Sequence, residues 1–207
     1  MAPKSKFTRK EMVDAAVRVV QEKGIGGFTA KTMAEALGTS TQPIFTCFGS
    51  MEEVRREVRV AAERTYDAYV LAGMKERIPF FGFGMQYVRF AKEEPELYRL
   101  LFLSPSENGG CIALEAMQHS LEIVRPSLQT IYHITAEDAD LYFRDLWLVV
   151  HSIATLSVTG GCPYTEEELG RILTGFSVSL CKAIKEIPGF TAGTFDRDQV
   201  FRDLIGK

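Results

Sequence analysis

The sequence has no long apolar run and no apolar signal core near its first residue. None of its apolar stretches reaches the roughly 18–20 residues that a membrane-spanning helix requires. The opening MAPKSKFTRKEM becomes charged and amphipathic at once, which is unlike a secretion signal. We therefore expect no membrane partner and a cytoplasmic location.

Residues that build metal and disulfide sites are also scarce. The four cysteines stand far apart without a CxxC pair, and the three histidines are separate from one another. Zinc sites and disulfide frameworks use closer, repeated spacings, so we expect free thiols, no metal ion and no cofactor. The sequence contains no HExxH, GxSxG or P-loop motif either, and we predict that the protein is not an enzyme.

Strand patterns and internal repeats are absent as well, whereas helical periodicity runs through the chain. Apolar residues recur at three- and four-residue spacing. Pro126 is expected to kink or shorten one helix. Four hydroxyl residues stand three positions before an acid, the spacing of a capping box, at Thr8, Ser50, Thr135 and Thr165. These signals predict an all-α fold of about nine helices.

One stretch, TAKTMAEALGTSTQPIFTCF over residues 29–48, predicts two short helices joined by a tight turn at Gly38. Ser40 is expected to cap the second helix, with Pro43 in its first turn. The apolar positions can pack this pair onto a preceding helix. The side chains left outside are mostly short donors and acceptors, with no acid among them. This profile is typical of a helix-turn-helix whose second helix enters a DNA major groove.

Charge is divided unevenly along the chain. Residues 1–50 contain seven bases and four acids, whereas the remainder contains 17 bases and 23 acids. A small basic module on a larger acidic body favours an anionic partner at one end of the molecule.

The run EKGIGGFTAKTMAEALGTSTQPIFTCFGSMEEV resembles the TetR family of bacterial one-component transcription repressors. The shared features are a glycine turn after the first helix, Phe-Thr opening the second, Ala-x-x-Leu-Gly-x-Ser across the turn, an aromatic-x-x-Phe end to the third helix and acids opening the fourth. Further along, YRLLFLS and LWLVVHSIATL resemble the Tyr-Arg-aliphatic-Phe and Trp-x-x-x-His patterns of one TetR C-terminal class. Ser152 stands where that class usually has glycine.

The resemblance implies a homodimer, a small-molecule pocket in each C-terminal domain, and release from a double-stranded DNA operator when the ligand binds. Two positions depart from the family pattern. Phe45 replaces the usual tyrosine and Met51 the usual lysine, which removes a hydroxyl and a cation from the phosphate contacts. By position, the resemblance places the DNA contacts at Thr29, Lys31, Thr39, Ser40, Thr41, Gln42, Phe45 and Thr46.

The chemistry of these side chains divides them between phosphate and base contacts. The hydroxyls of Thr29, Thr39 and Ser40 suit phosphate oxygens. The Lys31 side chain suits phosphate or a guanine edge. Gln42 can pair with the adenine edge, which is worth about 1–3 kcal/mol of discrimination. Thr41 and Thr46 can hydrogen-bond to a base or offer a methyl group to thymine.

Aromatic and methionine residues concentrate between residues 79 and 147, where we predict an apolar ligand pocket with a few oriented polar groups. Any one of these rings can equally be core packing. His151 shares a helix face with Trp147, and both a buried histidine and a ligand contact are open for it. The predicted pocket residues are Phe83, Tyr87, Phe90, Phe102, Met117, Leu121, Phe143, Trp147 and His151.

The last two long helices are predicted to pair with a second copy of the chain, and the interface residues are named from the last one. Its apolar stripe is wide and its small residues allow close helix approach, although the same stripe can also pack within one chain. The predicted interface residues are Leu169, Ile172, Leu173, Phe176, Leu180 and Ile184.

We therefore predict a helix-turn-helix DNA-binding domain over residues 1–49 and a helical ligand-binding and dimerisation domain over 50–207, with helix 50–73 as the connector. The predicted function is a transcriptional repressor that binds a palindromic operator as a dimer and is released by a small apolar or aromatic effector. The alternative, which Phe45 and Met51 favour, is a helical small-molecule-binding protein with weak or lost DNA binding.

Overall fold

The computed structural model describes residues 7–105 and 110–206 of the chain. Over these ranges the chain forms ten α-helices and no strand, so the prediction of an all-α fold is confirmed. The count exceeds the predicted one because residues 197–205 form a last short helix. The helices are α1 (Arg9–Lys23), α2 (Ala30–Leu37), α3 (Gln42–Cys47), α4 (Met51–Gly73), α5 (Pro79–Glu93), α6 (Pro95–Tyr98), α7 (Ile112–Tyr132), α8 (Ala136–Val158), α9 (Glu166–Glu186) and α10 (Arg197–Ile205).

Side-chain caps fix where the long helices begin. Each of Thr8, Thr135 and Thr165 accepts a hydrogen bond from the backbone N–H three residues further on. The acid at that position accepts in turn from the backbone N–H of the threonine, so three predicted capping boxes are confirmed. Ser50 accepts from the Glu53 amide at the start of α4, but the Glu53 carboxylate accepts instead from the amide of the glycine before Ser50. The fourth box therefore forms only on its serine side.

α7 continues past its internal proline, so the expectation that Pro126 shortens this helix is wrong. The helix ends at Tyr132, and His133 follows in the left-handed conformation with φ 53°. Val124 and Leu128, on either side of the proline, are fully buried. Their packing holds the helix together where the proline removes one backbone hydrogen bond.

The first three helices share a small apolar core. Met12 and Val20 of α1 are buried against Met33 of α2 and Ile44 of α3, and Phe48 closes the core after α3. This arrangement turns the remaining face of α3 outward.

Several polar contacts join this three-helix unit to the rest of the chain, and those of Arg9 and Gln21 are among them. Arg9 forms ion pairs of 2.8 and 2.6 Å with Glu53 and Glu57 on α4. Gln21 on α1 donates a 2.7 Å hydrogen bond to the carboxylate of Glu94, the residue before α6. The unit therefore contacts α4 on one side and the start of α6 on another.

The helices after α3 pack around α5, which contacts α4, α8 and α9. α4 and α5 approach most closely at two glycines. A Cβ atom on Gly73 would lie 2.5 Å from the carbonyl oxygen of Gly82, so a side chain at this position would force the two backbones apart. Of the helices described, none is both long and apolar enough to cross a membrane.

Candidate DNA-binding surface and ligand site

In the turn between α2 and α3, the end of α2 agrees with the sequence prediction and the start of α3 differs from it. Gly38 ends α2 with φ 62°, a left-handed conformation that glycine adopts without strain. Thr29 caps α2 by accepting from the Thr32 amide. The prediction that Ser40 caps α3 is wrong, because α3 begins at Gln42 and Thr41 is its N-cap residue. Thr41 has helical backbone angles and makes no side-chain cap, so both hydroxyls stay available to a partner.

The outward face of α3 carries four of the predicted DNA contacts. Thr41, Gln42, Phe45 and Thr46 are all exposed, and half of the Phe45 surface (49%) is open to solvent. The Thr46 hydroxyl donates to the carbonyl of Gln42 at 2.9 Å, which leaves its methyl group outermost. This face therefore offers an amide, a free hydroxyl, a methyl group and an aromatic ring.

The other predicted contacts flank this face. Lys31 and Ser40 are exposed and Thr39 is half-buried. The basic side chains Lys4 and Lys6 lie outside the described residues. Arg9 is held by its two carboxylates and lies 4.4 Å from the centre of the Phe48 ring, so it fastens α1 and is not a free phosphate contact.

Most of the predicted pocket residues lie in one aromatic cluster between α4, α5, α8 and the π-helical turn Arg99–Leu103 that follows α6. Tyr87 is its centre, with ring centroids 5.2 Å from Phe102, 6.0 Å from Phe83 and 6.1 Å from Trp147. The rings pack on one another, so these residues form a filled core. The fully or almost fully buried members of the predicted set are Phe83, Tyr87, Phe90, Phe102, Leu121, Phe143 and Trp147, while Met117 and His151 are half-buried.

His151 supplies the polar centre of this cluster. The hydroxyls of Tyr87 and Tyr98 each lie 3.0 Å from its Nδ1 atom. The Tyr98 hydroxyl also lies 3.0 Å from the hydroxyl of Thr155. The indole of Trp147 stacks on the imidazole at a centroid distance of 4.5 Å. The predicted residues Tyr87, Trp147 and His151 are thus brought together, and the sequence prediction left Tyr98 and Thr155 out of the pocket.

Burial controls the protonation of these groups. It lowers the pKa of His151 and raises the pKa of Tyr98 to about 12, because a charged form would lose its water. It also raises the pKa of Tyr87 well above its usual range. At neutral pH the cluster therefore presents a neutral imidazole and two protonated tyrosine hydroxyls.

Among the described residues, open space lies beside this cluster in at least two places. A cleft of about 190 Å³ is lined by Tyr66, Phe102 and Ala116, with Arg59, Glu63, Leu101, Glu115 and His119 completing it. A second groove, of about 750 Å³, lies between α5 and α9 and is lined by Phe81, Met85 and Gly170 among others. Phe102 is the predicted pocket residue that lines the first cleft, and none of the predicted set lines the second groove.

Two family models match the chain. A model of bacterial regulatory proteins of the tetR family matches residues 12–58, and a model of the tetracyclin repressor-like C-terminal domain matches residues 80–174. Together they cover more than half of the sequence. The chain belongs to the TetR family. It combines the helix-turn-helix DNA-binding fold of that family with a ligand-binding domain.

Solved structures share the fold of this TetR-family chain. A TetR-family member from Streptomyces coelicolor A3 is 22% identical, with a TM-score of 0.60 over 81% of this chain and 96% of its own. A protein of unknown function from Rhodococcus sp. RHA1 is 18% identical, with a TM-score of 0.68 over 89% and 99%. The multidrug binding protein EbrR, solved with malachite green, is 20% identical, with a TM-score of 0.58 over 81% and 96%. No curated protein matches the sequence.

The predicted pairing helix of this TetR-family protein divides between core and surface. Leu169 and Leu173 are buried inside the chain, which removes them from any face that a second copy can reach. Ile172, Leu180 and Ile184 are half-buried, and Phe176 is 53% exposed. Leu148 and Leu156 of α8, more than two helical turns apart, are exposed as well, and the sequence prediction named neither residue.

Proposed function

We propose that this protein is a ligand-responsive transcriptional repressor that binds a palindromic operator as a dimer and is released by a small apolar or aromatic effector. In this proposal residues 1–49 bind DNA, residues 50–207 bind the effector and the second copy, and helix α4 connects them. The protein performs no enzymatic reaction. The observation that carries the proposal is the outward face of α3, where Thr41, Gln42 and Thr46 are exposed on a short helix held by its buried face.

The proposed base contacts come from this face. Gln42 is exposed and none of the described residues hydrogen-bonds to its side-chain amide, so it is free to pair with an adenine edge. Thr46 presents its methyl group and suits a thymine. Thr29, Lys31, Thr39 and Ser40 flank the face where phosphate groups would pass, with Phe45 packing beside them.

Pairing of two chains is part of the proposal because one six-residue α3 offers too few contacts for useful affinity. The exposed apolar side chains of α8 and α9, chiefly Leu148, Leu156 and Phe176, suit a four-helix seam around a two-fold axis. Such a dimer would place its two recognition helices about 34–36 Å apart, one turn of DNA.

The effector is proposed to bind at the aromatic cluster that contains Trp147 and His151. Its rings and neutral polar groups suit an apolar or aromatic compound with few charges. EbrR, which shares the fold, was solved with malachite green, a cationic dye, whereas uncharged aromatic compounds are the first probes for this chain.

A gel-shift assay tests the proposal. The protein is titrated onto the DNA upstream of its own gene at low and moderate salt, with and without uncharged aromatic compounds. We expect a dimer-sized complex that weakens with salt and dissociates with an effector. The Gln42→Ala variant should change the binding pattern, and Gln118→Ala, an exposed glutamine on α7, is the matched control.

A second candidate function is a helical small-molecule-binding protein with weak or lost DNA binding. Phe45 and Met51 favour it, because neither side chain can bond to a phosphate as the family's usual tyrosine and lysine do. Binding of aromatic compounds without any salt-sensitive gel shift would support this alternative.

A further inference from the structure

Trp147 holds an unused hydrogen-bond donor inside the aromatic cluster. Its side chain is 1% exposed, and its Nε1 atom is the buried side-chain nitrogen that, within the described residues, has no hydrogen-bond acceptor. A buried N–H group without a partner is unfavourable, and natural structures rarely keep one without a reason. A ligand atom that accepts this hydrogen bond would remove the penalty.

Two tyrosine hydroxyls at His151, on whose ring Trp147 stacks, can be redirected toward the same ligand. Tyr87 and Tyr98 both approach the single Nδ1 atom of His151, which can form only one good hydrogen bond in the ring plane. Tyr98 has a second partner in Thr155, so it can release His151 without losing its hydrogen bond. The cluster is therefore rich in donors and short of acceptors.

The cluster contains no full charge to balance an ion. At the open cleft Arg59 is paired with Glu63 at 3.3 Å, and His119 Nε2 lies 2.9 Å from a carboxylate oxygen of Asp67. Burying an ion among the rings without a counter-charge is strongly unfavourable. The arrangement suits a compound that is uncharged, flat and apolar, with one acceptor atom.

Phe102 separates the cluster from the cleft. Its ring lines the 190 Å³ cleft on one side and, on the other, lies 4.9 Å from the Tyr98 ring and 6.0 Å from the His151 ring. It belongs to the π-helical turn Arg99–Leu103, and such turns occur frequently at functional sites. Displacing this one ring would join the cleft to the donors behind it.

We propose that the effector is an uncharged ring compound with a carbonyl-type acceptor, that it enters by the cleft past Phe102, and that Trp147 Nε1 and a tyrosine hydroxyl donate to its oxygen. This inference rests on the proposed ligand-binding function and adds the chemical class of the ligand and its route. It assigns Phe102 as the side chain that must move to admit the ligand, and Trp147 as the group that selects an acceptor-bearing ligand over a pure hydrocarbon.

The test uses 1-indanone and indane, two bicyclic compounds of similar shape that differ by a ketone oxygen. Calorimetric titration of the full chain should show 1-indanone binding about fivefold more tightly than indane, the factor that one net hydrogen bond supplies. Trp147→Phe keeps an aromatic ring without the N–H group and should remove this preference. Tyr142→Phe is the matched control, because it removes a buried hydroxyl that bonds to Ser177, away from His151 and from the cleft, and should leave the preference intact.

The route is tested with Phe102→Leu. Trp147 is the single tryptophan, so stopped-flow fluorescence reports arrival of either probe at the cluster. We expect both probes to bind several-fold faster in this variant with their ratio of affinities unchanged. An unchanged association rate would overturn the proposal that Phe102 controls entry of the ligand.

The probe affinities and the gel shift test separate parts of the proposal. Equal affinity of the two probes for the parent protein, or a preference that survives Trp147→Phe, would overturn the acceptor assignment while leaving an apolar effector possible. Failure of both probes to bind the parent and the Phe102→Leu variant would overturn the site itself. Failure to bind DNA in the gel shift would overturn the proposed function and leave the ratio of probe affinities unaffected.

Discussion

The side-chain amide of Gln21 on α1 donates a 2.7 Å hydrogen bond to the carboxylate of Glu94, four residues before Tyr98. Tyr98 in turn contacts His151 in the aromatic cluster. A short chain of contacts thus runs from the proposed effector site through α6 to the helix that supports α2 and α3.

Removing this contact should weaken the link between effector and DNA. In Gln21→Ala we expect the affinities for DNA alone and effector alone to stay the same, while the effector concentration that releases DNA rises about two- to tenfold, the range of one typical net hydrogen bond. Fluorescence anisotropy of labelled operator DNA measures DNA affinity and release, and calorimetric titration measures effector affinity. Gln118→Ala serves as the control, and equal release curves for Gln21→Ala and the parent would contradict the proposed route.

Replacing Gln42 should relax the sequence preference at one base position in each half-site. The expected loss is about 1–3 kcal/mol of discrimination, because the alanine variant cannot pair with an adenine edge. Selection of binding sites from a random DNA pool measures the preference. Identical sequence profiles for Gln42→Ala and the parent would show that this side chain does not read a base.

Restoring the missing phosphate contacts should strengthen DNA binding. Met51→Lys places a cation at the start of α4, and we expect the slope of log affinity against log salt to steepen by about one unit per half-site. Phe45→Tyr should tighten binding with little change in slope, since it adds a neutral hydroxyl. Gln118→Lys adds the same charge far from α3, and a similar gain in that control would point to a general charge effect.

The stability of the fold should depend on pH through His151. Burial lowers the pKa of its imidazole, so below about pH 6.5 the unfolded chain takes up a proton that the folded chain does not. This contribution to stability is complete above that pH and decreases as the pH falls toward the folded-state pKa. The melting temperature should therefore fall further between about pH 7.5 and 5.5 in the parent than in His151→Gln, by roughly 1–3 °C. His133→Asn changes an exposed histidine to a residue that also tolerates the left-handed conformation, so it serves as the control. Superimposable curves for the parent and His151→Gln would contradict the prediction.

A charge at Phe176 should prevent pairing. The side chain is half exposed in the single chain, so Phe176→Glu should leave the melting temperature nearly unchanged while raising the dimer dissociation constant at least about tenfold. Light scattering at micromolar concentration measures the mass. Phe201→Glu on α10 changes an equally exposed phenylalanine outside the proposed surface, and a dimer mass for Phe176→Glu would place the interface elsewhere.

The features that sequence reasoning predicted well depend on residues close together in the chain. The caps at Thr8, Thr135 and Thr165 and the left-handed Gly38 follow from patterns of three or four residues, and the structure confirms each of them. At Ser40 the same logic failed, because three consecutive hydroxyl residues, Thr39 to Thr41, precede α3 and the pattern does not distinguish which of them stands at the helix start.

Features that join distant parts of the chain were not predictable in the same way. Tyr98 and His151 are 53 residues apart, and no local pattern shows that their side chains meet. The apolar stripe of α9 likewise did not show that Leu169 and Leu173 face the chain's own core while Phe176 faces outward. Periodicity identifies an apolar face but not the partner that covers it.

The contact between Gly73 and Gly82 has a mechanical consequence for helix α4. The two backbones touch at the C-terminal end of this 23-residue helix, so we expect α4 to pivot there. Its N-terminal end lies about 33 Å from this pivot at 1.5 Å per residue. A tilt of only about 5° about the pivot displaces the N-terminal end by about 3 Å. If the two α4 helices of a dimer tilted in opposite directions, the separation of its two α3 helices would change by about twice that distance. This change is enough to lose register with successive turns of DNA.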